Sequence, residues 1–344
     1  MSSERLLDVA VIGAGMAGLK VASELQQQGQ AVKVFEKARG TGGRMSSKRF
    51  NTQLGLQLSF DLGCASFTAH SSEFRQQVME WCDLGKAEYW LDAEDGEQFV
   101  AVPRNSAITR HMSGSVDCCF ATRITRIQKD GVWHLYEQAD NGKERLLALA
   151  RTLVITAPPQ QATDLLPVGV FSSLFSEVIV SPQWVMMVHV SNLPADAQSR
   201  YLKPSSAIEV ISTETDKPGR DTQVVGDILM VQASAEWSAQ RLELKAQQVF
   251  YELKQELEQV LSGSLEVQDF YIHRWLYSQT KLANDPPLND TNAIDYWWHD
   301  SGVAIAADYT CRRASGVEAA WLAGKSLAQW LCTKELNNKL VGCN

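Results

Sequence analysis

The strongest constraint on the fold is a glycine triplet near the start of the chain. Gly13, Gly15 and Gly18 follow the apolar stretch Leu7–Ile12 and precede a helical pattern of apolar residues. Such glycines allow a sharp turn, a close backbone approach to a ligand and tight helix packing, and the helix N-terminus favours an anion. A second apolar run ends at Glu36, where a carboxylate can bind ribose hydroxyls. The segment predicts a Rossmann-type unit that binds an adenine dinucleotide.

A second glycine loop, Arg39–Met45, follows shortly after Glu36. Its GGR stretch resembles the loop that FAD proteins of the glutathione-reductase and amine-oxidase class place along the flavin side of the dinucleotide. By that resemblance Arg44 approaches the diphosphate and ribityl region, where a guanidinium can make a bidentate contact with phosphate. The loop therefore favours FAD over NAD as the cofactor.

Composition excludes several classes of protein. The net charge of −8 over 344 residues, without a clustered basic stripe, argues against a nucleic-acid partner. No apolar run reaches the ~18 residues that cross a bilayer, and the polar start does not resemble a signal peptide. Seven cysteines without a C-x-x-C motif and six dispersed histidines favour neither a disulfide framework nor a metal site. We expect a cytoplasmic protein.

The remaining pattern predicts strands at 120–127, 133–138, 145–149 and 152–157, with a hairpin turn at 140–142 and a strand at 61–70. A helix over 243–261 is predicted in the middle of the chain. The predicted fold is α/β with an α+β substrate domain: a two-domain FAD-binding Rossmann-type fold of the glutathione-reductase/amine-oxidase class with a discontinuous substrate domain. Residues 1–75, 112–165 and 299–344 form the predicted FAD-binding domain, and residues 76–111 and 166–298 the substrate domain.

The C-terminal region repeats the order of strand, acid and helix. A short strand, Val303–Ala306, precedes Asp308 and a helix whose N-terminal end carries small residues. In many FAD enzymes such a helix end faces the pyrimidine carbonyls of the flavin, where negative charge accumulates on reduction. We therefore expect the first and last segments of the chain to meet at one cofactor.

The chain resembles the bacterial renalases, flavoproteins related to amine oxidases, nearly from end to end. The segments that carry the resemblance are VIGAGMAGL, EKARGTGGRMSSKR, DLGCASFTA, FVAVPRNSAITRHM, QASAEWSAQRLE, HRWLYS and AADYTCRRASGVEAAWLAG. Three positions depart from the pattern: Arg104-Asn105, Leu276 and Ala307. The first two lie in the predicted substrate domain and bear on substrate identity rather than on FAD binding.

The resemblance implies an oxidase of dihydronicotinamides. Renalases take hydride from the 2- and 6-dihydro isomers of NAD(P)H to flavin N5, release NAD(P)+ and reduce O2 to hydrogen peroxide. A dihydropyridine becomes aromatic when it gives up hydride, so the protein mainly has to hold the ring in near-attack geometry. The predicted contacts to a non-covalent FAD are Gly13, Ala14, Gly15, Met16, Ala17, Glu36, Lys37, Gly43, Arg44, Met45, Ala65, Ser66, Asp308, Gly316 and Val317.

Substrate positioning is predicted for three residues of one strand. His273, Trp275 and Tyr277 share a face of the predicted strand Val267–Tyr277 by period-2 alternation, while Arg274 points the other way. The same alternation also fits a half-buried strand whose aromatic residues belong to the core and whose histidine bonds to backbone.

Three functions stay open at this point. A renalase-like oxidase comes first. An amine oxidase or another FAD oxidase or desaturase would share every cofactor motif and differ in the middle domain. A non-catalytic FAD-binding sensor comes last, because no segment resembles an appended signalling module. Covalent flavin attachment would need a cysteine near the cofactor, and Cys311 is the only one close to the C-terminal motif.

Overall fold

The structure, a computed structural model, describes residues 6–52, 55–139, 142–193, 205–220, 224–283 and 294–341, with side chains to residue 334. The strands are β1 (Leu7–Ile12), β2 (Val32–Phe35), β3 (Ser47–Asn51), β4 (Gln57–Asp61), β5 (Ala87–Ala93), β6 (Gly96–Ala101), β7 (Cys118–Cys119), β8 (Arg126–Asp130), β9 (Val132–Gln138), β10 (Glu144–Ile155), β11 (Val178–Val190), β12 (Ile208–Thr213), β13 (Asp227–Ala233), β14 (Val267–Leu282), β15 (Trp297–His299) and β16 (Val303–Ile305). The helices are α1 (Met16–Gln27), α2 (Ser72–Asp83), α3 (Ser106–Ser113), α4 (Pro159–Leu165), α5 (Ser172–Ser176), α6 (Ala235–Ala239), α7 (Ala246–Val260) and α8 (Gly316–Val341).

The larger sheet has the strand order β15-β16-β10-β1-β2-β7, and β8 and β9 extend it from β10. Strand β1 lies at its centre and pairs in parallel with both β10 and β2. Because β1 is covered on both faces, its residues from Val9 to Ile12 are all apolar. Helices α1 and α8 pack closely on one face, since a Cβ at Gly324 would lie 2.6 Å from the Ala17 carbonyl oxygen.

Strand β10 corrects the predicted pattern in this region. The predicted strands 145–149 and 152–157 form one strand, whose first half pairs antiparallel with β9 and whose second half pairs in parallel with β1 and β16. The predicted strand 120–127 was also wrong, because residues 120–125 form a loop and β8 begins at Arg126. The predicted hairpin is confirmed, because β9 pairs antiparallel with the first half of β10. Residues 140–141 of the predicted turn lie outside the described residues.

The smaller sheet is antiparallel, with the order β12-β13-β11-β14. Helix α7 covers one face and buries Val249, Phe250, Leu253 and Leu257 against it. The β3–β4 hairpin packs on the other face, where Phe60 lies in a cluster with Met187 and Ile228. Strand β14 is five residues longer than predicted and ends at Leu282 instead of Tyr277.

Residues 76–111 pack mainly with the larger sheet. Trp81, Phe99 and Ile108 share a hydrophobic cluster with residues of β1, α1 and α8. The predicted strand 61–70 was wrong, because β4 ends at Asp61 and only Phe67 makes a further β-bridge, to Phe99. None of the described helices has a stretch long and apolar enough to span a lipid bilayer. The predicted domain boundaries remain a prediction.

Candidate functional site

A cavity of about 930 Å³ lies at the carboxyl ends of the parallel strands β2, β1, β10 and β16. Its lining includes the residues that directly follow β1, β2 and β10, and Ala307, two residues after β16; ligands bind at this edge in open α/β sheets. The opposite wall comes from the smaller sheet, through residues of β11, β12, β13 and β14. The cavity therefore lies between the two sheets.

The first glycine turn has the geometry that its spacing predicts. Gly13 has a φ of 110°, and a Cβ at Gly18 would lie 2.1 Å from the Gly13 carbonyl oxygen, so α1 starts against the turn. A Cβ at Gly15, by contrast, would meet no atom within 4 Å. Gly15 lines the cavity and caps α1 without a side-chain hydrogen bond. The free N–H groups at the start of α1 can therefore hold an anion.

The second glycine loop contacts the first. The Gly42 amide donates to the Ala14 carbonyl oxygen at 3.2 Å. A Cβ at Gly43 would lie 3.8 Å from the Cα of Gly15, in ordinary van der Waals contact. Together the two loops form a backbone cradle without side chains at one end of the cavity, and this cradle fits the diphosphate of a dinucleotide.

Glu36 stands beside the cradle and is 9% exposed. One of its oxygens accepts the Ala14 amide at 2.8 Å, and the other accepts the Ala38 amide at 2.7 Å. These two bonds fix the carboxylate at the cavity, and each oxygen keeps a lone pair for a ligand hydroxyl. Lys37 also lines the cavity, and its ammonium donates to Gln161 at 2.7 Å. Burial, together with the charge of Arg123, lowers the pKa of Lys37.

Arg44 and Asp308 both line the cavity and form an ion pair with each other. The two guanidinium nitrogens lie 2.6 and 2.5 Å from the two carboxylate oxygens of Asp308. The Thr280 hydroxyl donates to Asp308 at 2.6 Å, and Arg44 also donates to the Ser278 carbonyl oxygen at 3.3 Å. The pKa of Arg44 is raised: burial lowers it, and the Asp308 carboxylate more than compensates. The sequence assigned both residues to the cofactor without predicting that they pair.

The wall of the smaller sheet is a hydrogen-bonded polar surface that the sequence did not indicate. One carboxylate oxygen of Glu209 accepts hydrogen bonds from two side-chain amides, that of Gln183 at 3.1 Å and that of Gln279 at 2.6 Å. The Gln183 amide also donates to the Ala233 carbonyl oxygen at 3.1 Å and accepts the Ser278 hydroxyl at 2.9 Å. Each residue is ordinary in the sequence, so a strand-pairing prediction for residues 178–282 would have been needed to find the set.

The strand that carries the predicted positioning residues contains a β-bulge. Trp275 pairs with Gln183 and Gln279 pairs with Ser181, so three residues of β14 stand opposite one residue of β11. Regular alternation therefore stops after Trp275, and every residue from Trp275 to Leu282 lines the cavity. Because of the bulge, period-2 alternation no longer relates Tyr277 to His273, although Trp275 and Tyr277 both line the cavity.

His273 lies outside the cavity lining, two residues before Trp275, the first residue of this strand that lines the cavity. Its ring stacks on Tyr271 at a centroid distance of 6.4 Å and contacts Trp275 edge-on at 4.8 Å. Burial, with a contribution from Lys48, lowers the pKa of His273. The Trp275 indole nitrogen donates to the Leu62 carbonyl oxygen at 3.0 Å. The role of these residues in substrate positioning stays a prediction.

Most of the predicted cofactor residues share the one cavity. Ala14 and Ala65 are the exceptions, together with His273 among the positioning residues. Ala14 acts through its amide on Glu36, and Ala65 packs with Val185 and Met230. The predicted residues that line the cavity are Gly13, Gly15, Met16, Ala17, Glu36, Lys37, Gly43, Arg44, Met45, Ser66, Trp275, Tyr277, Asp308, Gly316 and Val317.

A buried charge cluster supports the cavity from behind. Asp61 is fully buried and accepts Arg220 at 2.5 Å, while Lys217 forms ion pairs with both Asp61 and Glu214. Asn105 is also fully buried, and its backbone N–H donates to the Asp61 carboxylate at 2.8 Å. The sequence treated Asn105 as a departure that bears on the substrate, whereas its side chain accepts the Ala101 amide and donates to the carbonyl oxygen of Cys64, which lines the cavity.

The start of the chain matches a known family. Residues 11–83 match the family described as "NAD(P)-binding Rossmann-like domain". A curated protein, the 4,4'-diapophytoene desaturase (4,4'-diaponeurosporene-forming) of Staphylococcus aureus strain MRSA252, is 29% identical over 117 residues. That match covers 32% of this chain and 22% of the desaturase. The chain thus spans about a fifth of the length of the curated relatives it matches.

Solved structures match over nearly the whole chain. A triple mutant of putrescine oxidase, redesigned in its cofactor binding, gives a TM-score of 0.62 at 14% identity and covers 96% of this chain and 99% of its own. Cyclohexylamine oxidase from Brevibacterium oxydans IH-35A gives 0.61 at 13%, with 95% and 100% covered. The likeness confirms the predicted mixed α/β two-domain fold with a Rossmann-type domain.

Proposed function

We propose that this protein is an FAD-dependent oxidoreductase that oxidises the 2- and 6-dihydro isomers of NAD(P)H. The observation that carries the proposal is one cavity with two different walls. A backbone cradle of glycine loops, with Glu36 beside it, lies at one end, and a polar wall of amides and one carboxylate lies on the smaller sheet. The first fits a dinucleotide, and the second supplies donors and acceptors for a polar ring.

The residues of the cavity fit FAD on structural grounds. Side chains are absent at Gly15 and Gly43, where a diphosphate would need the space. When bound, FAD would accept hydride at N5, so that the dihydronicotinamide, one proton and O2 yield NAD(P)+ and hydrogen peroxide. Gly316 and Val317, at the start of α8, line the same cavity and would place the N-terminal helix dipole where negative charge develops.

The chain's own task in this reaction is to hold the donor ring. A dihydropyridine gives up hydride without a general acid or base, so positioning is the main contribution. Trp275 and Tyr277 supply aromatic surface at the cavity, and the Trp275 ring is fixed by its bond to Leu62. The segments that resemble renalases support this substrate class over other oxidisable ring systems.

Non-covalent attachment of FAD is part of the proposal. Cys311 lines the cavity but is 6% exposed. Burial and the neighbouring Asp295 carboxylate raise the pKa of the Cys311 thiol to about 12. A thiol that stays protonated at neutral pH is a poor nucleophile toward the flavin. We therefore expect all flavin to be released as free FAD when the protein is denatured.

An amine oxidase is the second candidate, since the two solved structures named above are oxidases of amines by their names. A desaturase is the third, through the partial match to the Staphylococcus aureus enzyme. Aromatic surface from Trp275 and Tyr277 would suit an amine. The polar bonds around Glu209 favour the dihydronicotinamide instead, because an amide-rich wall matches a carboxamide better than an alkyl chain.

The test is a turnover assay on the purified flavoprotein. Peroxide formation is followed with borohydride-reduced NAD+, which contains the 2- and 6-dihydro isomers, with 4-dihydro NADH and with a panel of amines. Peroxide from the isomer mixture alone is the expected result. Turnover of an amine would move the protein to the second candidate. A bound flavin that no donor reduces would contradict the enzymatic assignment and favour a sensor.

A further inference from the structure

Glu209 has an unusual place in the smaller sheet. Ile208 pairs with Ala233 and Val210 pairs with Gln232, so Glu209 is the extra residue of a β-bulge. A second bulge, at residues 276–278 of β14, lies on the same wall of the cavity. Bulges redirect side chains and occur often beside binding sites. Two of the three register shifts in this sheet, at Glu209 and at residues 276–278, thus bring polar groups to the cavity.

The Glu209 carboxylate is held in one orientation by neutral groups. Gln183 and Gln279 both donate to the same oxygen, and Gln183 is itself fixed by Ala233 and Ser278. A chain of hydrogen bonds continues from Ser278 to Arg44, at the cofactor end of the cavity. The carboxylate is therefore connected to the cofactor cradle by fixed groups.

No cation balances Glu209 within the described part of the chain, where its hydrogen bonds come only from the two amides. A half-buried carboxylate with one oxygen free of partners favours a ligand that brings a hydrogen-bond donor. A neutral N–H donor on a carboxylate makes a charge-assisted bond, which is stronger than a bond between neutral groups.

We infer that Glu209 binds the carboxamide NH2 of the nicotinamide ring and thereby distinguishes nicotinamide from nicotinic acid nucleotides. This inference rests on the proposed function, because it assigns the contact that holds the same donor ring. Glu209 is a positioning and specificity residue: it touches the substrate at the carboxamide and takes no part in hydride transfer. A carboxylate on the ring, as in nicotinic acid adenine dinucleotide, would meet Glu209 with like charge.

The test compares Glu209→Gln with the wild-type flavoprotein. Binding of NAD+ and of nicotinic acid adenine dinucleotide is followed by perturbation of the flavin absorbance, which needs no turnover. Wild type should bind NAD+ at least about tenfold more tightly than the acid. Glu209→Gln should lose most of this preference by binding NAD+ more weakly and the acid more tightly. Glu243→Gln, the same change at an exposed position outside the cavity, should keep the wild-type preference.

Kinetics give a second readout. With the borohydride-reduced NAD+ mixture, Glu209→Gln should raise KM more than it lowers kcat, because the carboxamide contact exists before and during hydride transfer. A selective gain in affinity for the acid would not follow from a merely structural role. If Glu209→Gln leaves the ratio of the two affinities unchanged while wild type oxidises the isomers, this inference is wrong and the proposed function stands. If wild type oxidises no dihydronicotinamide, the proposed function is wrong, and the inference that rests on it is wrong as well.

An amine would also bring a donor to Glu209, and the same variant identifies that case. Wild type would then oxidise an amine, Glu209→Gln would raise KM for the amine, and neither nucleotide would perturb the flavin spectrum. That result would overturn the carboxamide assignment.

Discussion

The two walls of the cavity differ in how the chain builds them. The glycine cradle comes mainly from residues 13–45, where turn, helix and strand follow one another directly. The polar wall takes Gln183, Glu209, Gln232 and Gln279 from four strands of one sheet. The cradle is a local structure encoded by spacing, whereas the wall exists only after strands distant in sequence have paired. Cofactor class can therefore be inferred from sequence far more directly than substrate.

Gly63 joins the two regions, and its substitution should have the largest effect. Its carbonyl oxygen accepts the Gln232 amide at 2.5 Å, and a Cβ would lie 1.7 Å from the Arg44 carbonyl oxygen. We expect Gly63→Ala to lower the free energy of unfolding by more than about 4 kcal/mol, or to abolish folding, because backbone would have to move. Thermal unfolding measures this. Gly40→Ala, where a Cβ meets nothing within 4 Å, is the control. Equal melting temperatures for the two variants would show that the walls are not joined here.

Gly15→Ala should separate folding from cofactor binding at the cradle. A Cβ there meets no protein atom within 4 Å, so the apoprotein should unfold within about 1 kcal/mol of wild type. The methyl group would instead occupy space that the diphosphate needs, and the Kd for FAD should rise at least about tenfold. Fluorescence titration of the apoprotein with FAD gives the Kd. An unchanged Kd would mean that the diphosphate does not lie against Gly15.

Glu36→Ala tests the adenosine end of the cradle. The variant removes the acceptor of the Ala14 and Ala38 amides and the predicted contact to the ribose. We expect loss of about 1–3 kcal/mol in FAD binding, since hydrogen bonds to a charged group are stronger than neutral ones. FAD should then be lost on dialysis, whereas Glu243→Ala at an exposed site should retain it. Full FAD occupancy of Glu36→Ala after dialysis would contradict the assignment.

Substitution of His273, which lies beside the polar wall, should have the smallest effect on stability. Its pKa in the folded state is lowered by burial, so the fold favours the neutral ring. The unfolded state then binds more protons, and stability should be complete above the unfolded pKa of about 6.5 and fall as the pH drops below it. His273→Gln should show a smaller drop in melting temperature between pH 7.5 and 5 than wild type. If His273→Gln and wild type show the same change in melting temperature with pH, the protonation of His273 does not contribute to the pH dependence of stability.

The same residue carries a prediction about the substrate. His273→Ala should weaken dihydronicotinamide binding and leave FAD bound if the histidine positions the ring. Unchanged steady-state constants would remove His273 from the site and leave it as a packing partner of Tyr271 and Trp275.

The sequence predicted the cradle well because each glycine has a local reason. Gly13 needs a positive φ, and Gly18 allows the helix to meet the turn, so spacing alone indicates both. The parallel pairing of β1 with β2 fits the strand, helix and strand predicted for the same segment. The ion pair between Arg44 and Asp308 was not predicted, because 264 residues separate the two and no spacing rule connects them.

Three features outside the glycine cradle were not predicted, each for a physical reason. First, period-2 alternation placed His273 and Tyr277 on one face, but the bulge after Trp275 interrupts the alternation. Second, Glu209 gains its position from a bulge of its own, which a short apolar strand does not reveal. Third, the sequence linked Asn105 to the substrate, whereas its fully buried side chain bonds to the backbone of Cys64 and Ala101. Tertiary pairing decides all three.

The most direct test of the proposed reaction is anaerobic reduction of the bound flavin in a single turnover. The purified holoprotein is mixed with one equivalent of the 6-dihydro isomer of NADH, and flavin absorbance and NAD+ are measured together. The account predicts rapid bleaching with one NAD+ formed per flavin, and no comparable bleaching by 4-dihydro NADH. A flavin that stays oxidised with the 6-dihydro and the 2-dihydro isomers, but bleaches with an amine, would contradict it.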